Sequence, residues 1–123
     1  MTLRDAHATF AWVVVATNAA VGLWALGAHY DARFRGSALW RATLVAELTI
    51  FVEVGLGVAL VALKDFEVAQ FHAFYGFVAL ATVGIIYSYR HQLRAHLYLL
   101  YGLGGLFLMG LALRAIAISP IPP

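Results

Sequence analysis

Four long, nearly charge-free runs decide what this chain can become: Ala8 to Gly27, Leu39 to Leu63, Gln70 to Tyr89 and Leu97 to Ile118. About 20 apolar residues are enough to cross the hydrocarbon core of a bilayer, and such runs are too long for the core of a small soluble domain. In hydrocarbon every backbone N–H and C=O must be satisfied within the chain, so each run is predicted to be a helix. Short connections make neighbouring helices antiparallel, in an up-down-up-down bundle with helices one and three diagonal or adjacent. The predicted fold is all-α, a four-transmembrane-helix antiparallel bundle forming a single membrane domain over residues 1–123. Composition agrees: 63% of residues are hydrophobic and 11% charged, too few charges to clothe a soluble surface.

The punctuation between runs sets direction. Thr2-Leu3-Arg4-Asp5 has the spacing of a capping box ahead of helix one. His29, Tyr30 and Asp31 end that helix, and a polar connection follows from Asp31 to Ser37. Trp40 and Arg41 are an interfacial anchor pair for helix two, and Lys64-Asp65-Phe66-Glu67 reads as a tight charged turn. Tyr87, Tyr89 and Arg90 close helix three, His91 to His96 forms the third connection, and Ser119-Pro120-Ile121-Pro122-Pro123 cannot continue helix four. Arg33, Arg35, Arg41, Arg90 and Arg94 lie at the first and third connections, against Arg4, Lys64 and Arg114 at the opposite face. The positive-inside rule then places connections one and three in the cytoplasm and both termini outside. Arg4 is offset by Asp5 and the first run is full length, so the N-terminus is not read as a cleavable signal, and neither end carries a lipidation motif.

Several function classes drop out. The net charge is +2 and seven of the eight basic residues are arginines at helix flanks, which is membrane chemistry and not a nucleic-acid footprint. The chain has no cysteine, which excludes disulfides, thiolate metal sites and thiol catalysis. No nucleophile–base arrangement, phosphate loop or metalloprotease helix is present.

The chain also reads as one helical hairpin written twice. Residues 7–17, HATFAWVVVAT, echo residues 72–82, HAFYGFVALAT, with His, Ala, Val, Ala and Thr at matching places. Gly55-Leu56 falls on Gly110-Leu111 if the first connection is longer than the third, giving repeats over 1–63 and 64–123. Such a tandem duplication has its two-fold axis along the membrane normal and sets one histidine on each of two equivalent helices.

Those histidines carry the first chemical expectation. His7 and Asn18 lie within about 20° of each other on a helix of 3.6 residues per turn, and His29 falls close to the same stripe. The matching stripe on helix three holds His72, Gly76, Ala79, Val83 and Arg90. With both stripes inward, His7 and His72 meet near the outer face, while His29, His91 and His96 gather near the inner one. Two imidazoles, with small Ala11 and Gly76 one turn on, suit a flat macrocycle whose iron they ligate. In this respect helices one and three resemble four-helix b-type membrane cytochromes, although His7 sits shallower than such ligands do. The plain reading is that interfacial histidines bond lipid headgroups or backbone.

The carboxylates carry the second. Glu47 and Glu53 lie in the middle of helix two, where an acidic side chain costs a few kcal/mol. Six residues turn them about 120° apart, so they are expected on different faces, one received by Asn18 or Thr17 and the other by a partner protein. The aromatics fall mostly near helix ends, as an interfacial belt does.

QFHAFYGFVAL, IIYSYR and LYLLYGLGGLF resemble the small four-span membrane proteins of bacteria, especially actinobacteria, a resemblance that implies a bacterial inner membrane and no activity. The leading expectation is a non-catalytic accessory or assembly subunit, with the bilayer, other membrane subunits or further copies of itself as partners. The second is a haem b carrier for electron transfer ligated by His7 and His72. The third is a proton-linked channel or transporter using Glu47 or Glu53, with Asn18 as the remaining intramembrane polar residue.

Overall fold

The structure, a computed structural model, describes residues 1–119; Pro120, Ile121, Pro122 and Pro123, where the sequence predicts the break after helix four, lie outside the described residues. Four helices follow one another: α1 (Leu3–Tyr30), α2 (Ser37–Lys64), α3 (Gln70–Ser88) and α4 (Leu97–Ala117). Single 3₁₀ turns, Ala32–Phe34 and Arg94–His96, mark the first and third connections, and no strand occurs among the described residues. The fold is an all-α four-helix bundle, and all four helices are long and apolar enough to cross a membrane.

Helix ends follow local chemistry. α1 starts at Leu3, ahead of the expected Ala8, because the capping box forms: the Thr2 hydroxyl accepts from the Asp5 N–H and the Asp5 carboxylate from the Thr2 N–H, both at 3.1 Å. α2 ends at Lys64; the Asp65 N–H reaches the Leu60 carbonyl, and the left-handed φ of 56° at Asp65 turns the Phe66 N–H back to the same carbonyl at 3.3 Å. The expected tight turn is absent, since the chain then runs without regular structure to Gln70. At the first connection Arg35 donates to the Ala28 and His29 carbonyls at 2.7 and 3.1 Å, satisfying the end of α1. Asp31 accepts from Arg33, and those hydrogen bonds hold its carboxyl below the usual value. Trp40 stacks on Tyr98 at 5.2 Å and meets Tyr101 edge-on, so these three rings pack on one another between α2 and α4.

The packing is lopsided. α1 and α4 approach most closely, through Gly22, Gly102 and Gly105; a Cβ on Gly22 would stand 2.9 Å from the Leu106 nitrogen, and one on Gly105 2.9 Å from the Gly22 Cα. Helices associate in a membrane through such van der Waals contact, which small residues permit. α1 also packs on α2, and α3 on α4, whereas α2 and α3 barely touch. The hairpins expected from the repeat therefore do not pack as a symmetric pair. Asn18, 1% exposed, crosslinks α1 to α2 by donating to the Ala46 carbonyl at 3.3 Å as well as to Val14 in its own helix. Below it Val14, Ile50, Val83, Ile86, Leu108 and Leu111 form the core. Phe51, Val58, Phe71, Phe77 and Phe107 point away from the bundle, an apolar exterior suited to lipid.

Candidate functional site

Where α2 and α3 part, a cavity of about 540 Å³ opens at the end of the bundle that holds the N-terminus and the α2–α3 connection. All four helices wall it, mostly with Ala, Val and Leu side chains and the bare backbone of Gly57 and Gly76, and Arg4, His7, Glu53, Glu67 and His72 supply its charged and imidazole groups. Its size falls within the range of about 300–1,000 Å³ that small-molecule and cofactor sites occupy.

His7 is the fifth residue of α1 and His72 the third of α3. Their rings meet edge-on, with centroids 6.1 Å apart and planes 79° apart. The His72 Nδ1 lies 2.8 Å from the Ala115 carbonyl oxygen. A carbonyl only accepts, so His72 carries its proton on Nδ1, and in the neutral ring Nε2 is a bare lone pair. His7 Nδ1 lies 3.2 Å from Glu53 Oε1. The two atoms are in contact without an aligned hydrogen bond, and neither enclosed atom has a hydrogen-bond partner among the described residues. Beside a carboxylate, the proton of His7 likewise belongs on Nδ1. Both imidazoles thus offer Nε2, the usual arrangement when the other ring nitrogen is held by a carboxylate or a backbone carbonyl.

The small residues take the expected side. Ala11, Gly76 and Ala79 line the cavity, and a Cβ added to Gly76 meets nothing within 4 Å. Gly57 does the opposite: its Cβ would stand 3.1 Å from Cε1 of His7, so the bare α2 backbone is the seat of that ring. Spacing singled out His7, His72, Ala11 and Gly76. It missed Gly57 and the Ala115 carbonyl, because neither position has a side chain that speaks for itself.

The carboxylates need two corrections. Glu53 is received by His7, not by Asn18 or Thr17, which are satisfied by the backbone and, for Thr17, also by Thr49 at 3.4 Å. Glu47 does not turn outward to a partner; it borders a second void of about 10 Å³ between Asn18, Thr43 and Tyr101, at the limit of what holds one water. At the opposite end of the bundle, His29 and His96 come within 6.2 Å, but His96 is exposed and no cavity separates the rings; His91 stands apart in solvent.

What the site can hold follows from its donor set. Among the described residues no three His, Cys, Asp or Glu side chains converge as a metal site. Two imidazoles alone complete the coordination of a metal that brings its other ligands with it, as haem iron does. His7 and His72 would hold such a group through their Nε2 atoms. The fold is a four-helix bundle whose helices are all long and apolar enough to cross a membrane, with a cavity at one end that brings His7 and His72 together. No protein-family model, curated protein or solved structure matches the chain.

Proposed function

We propose that the chain is a b-type haem protein of the bacterial inner membrane that carries single electrons, with His7 and His72 as axial ligands. The observation that supports this reading is the pairing at one apolar cavity of two imidazoles, with ring centroids 6.1 Å apart, His72 hydrogen-bonded at Nδ1 to the Ala115 carbonyl and His7 with Nδ1 against the Glu53 carboxyl. Ala11 and Gly76 leave room for the ring, the apolar walls exclude water from it, and Arg4 at the cavity edge suits its carboxylates. Haem bound there supplies a reversible one-electron couple. The site lies near the bundle end, so electrons are exchanged with a partner at that face, which the arginine bias makes the outer one. A partner subunit thus remains part of the reading, although the outward carboxylate that first suggested it is absent.

An absorption spectrum of the purified protein, expressed with ample haem, tests this. A Soret band with sharp α and β bands on dithionite reduction is expected, lost in His7→Ala and His72→Ala while far-UV circular dichroism keeps its helical amplitude. A colourless wild-type protein rejects the reading.

A further inference from the structure

We infer that Glu53 is the positioning residue of this site, fixing the tautomer of His7 and lending that ligand negative charge, so that the two imidazoles are electronically unequal. The inference rests on the haem reading above. The two histidines share a cavity but not a partner. His72 gives its Nδ1 proton to a neutral backbone oxygen, that of Ala115 at 2.8 Å. His7 faces a carboxylate at 3.2 Å, across a contact enclosed on both sides.

Glu53 is placed to act on His7. An intramembrane carboxyl is a costly residue that needs a partner, and the enclosed oxygen of Glu53 lies 3.2 Å from His7 Nδ1 with no hydrogen-bond partner among the described residues. Gly57, one turn further along α2, removes the methyl group that would push the ring off this contact. Glu53 and Gly57 thus act as a clamp from one helix, one holding the ring edge and the other making space for it. A carboxylate draws the Nδ1 proton more strongly than a carbonyl does, which raises the electron density at Nε2. In the low-dielectric interior that charge favours the oxidised, more positive state of a metal bound at Nε2. Glu47, on the same helix but turned to the small void by Tyr101, has no such contact and serves as the control.

Redox titration of the haem-loaded protein tests this in the wild type, Glu53→Gln and Glu47→Gln. Glutamine keeps an acceptor oxygen and removes the charge. Glu53→Gln is expected to shift the equilibrium about tenfold toward the reduced form, an upward move of about 59 mV for one electron. Glu47→Gln is expected to move it by less than half as much. In the haem-free protein, nitrogen-15 NMR is expected to show His7 protonated on Nδ1 in the wild type and a tautomer mixture in Glu53→Leu. A glutamate that only fills space leaves the potential of a folded, coloured Glu53→Gln variant unmoved, and that result overturns the inference while leaving the haem reading intact. If Glu53→Gln loses its haem, Glu53→Asp, which keeps the charge and withdraws it, is expected to shift upward by a smaller amount, and no shift there also overturns it. A wild type without a Soret band overturns both.

Discussion

A single methyl group at position 57 or 76 separates two roles of glycine in this bundle. At Gly57 the added Cβ would meet Cε1 of His7 at 3.1 Å, tighter than ordinary contact, so the ring must shift. Gly57→Ala is therefore expected to weaken haem binding tenfold or more, the effect of disturbing a ligand's support. At Gly76 the new atoms enter open cavity, and Gly76→Leu is expected to keep the fold and abolish binding by filling the space the ring needs. Haem titrations followed at the Soret band, with circular dichroism as the control, read both. Half of this site was legible in the sequence: helical spacing alone put His7, His72, Ala11 and Gly76 on inward faces. The partner of Glu53 was not, because it depends on how far α2 is rotated about its own axis. In a soluble bundle the polar face reports that rotation, whereas in a membrane both the core and the exterior are apolar. Ala115 was silent for another reason, since it contributes only a carbonyl.

At the scale of elements, the contact that decides the shape is α1 against α4. Gly102 and Gly105 of α4 stand directly opposite Gly22 of α1, a match between two helices that only the structure shows. Backbone, not side chain, is what an added methyl would strike at Gly105, so Gly105→Ala forces the helices apart. It is expected to cost about 1–3 kcal/mol, the usual penalty of overpacking. Gly110→Ala, which meets nothing within 4 Å, is expected to cost nothing. Midpoints of unfolding in a denaturing-detergent titration compare them. The first connection offers a pH test. The Asp31 carboxyl is held below its usual value by hydrogen bonds from Arg33, so its stabilisation is present at neutral pH and is lost as the pH falls below about 4. Asp31→Asn is expected to flatten the acid end of the stability profile and to leave the remainder of its slope unchanged.

For the whole molecule the consequence of the tight α1–α4 seam is the gap on the other side, between α2 and α3, and the gap is what makes the cavity. A symmetric bundle built from two equal hairpins would close both seams and leave no room between His7 and His72. The asymmetry also fixes where the site stands. α1 has 28 residues, and about 20 suffice for the hydrocarbon core, so a centred helix leaves His7 close to the boundary of one face. That face carries the N-terminus and the α2–α3 connection, while the first and third connections, with Arg33, Arg35 and Arg94, emerge at the other. If the arginine-rich side is cytoplasmic, the cavity that holds His7 and His72 opens at the outer face. The absence of cysteine makes this directly measurable, since one introduced thiol is the only one present. Glu67 lies at the cavity edge and Gln92 in the third connection, both exposed. A membrane-impermeant maleimide is expected to label Glu67→Cys in intact cells and Gln92→Cys only after the membrane is opened. The reverse pattern would turn the molecule over, and with it the compartment on which the cavity opens.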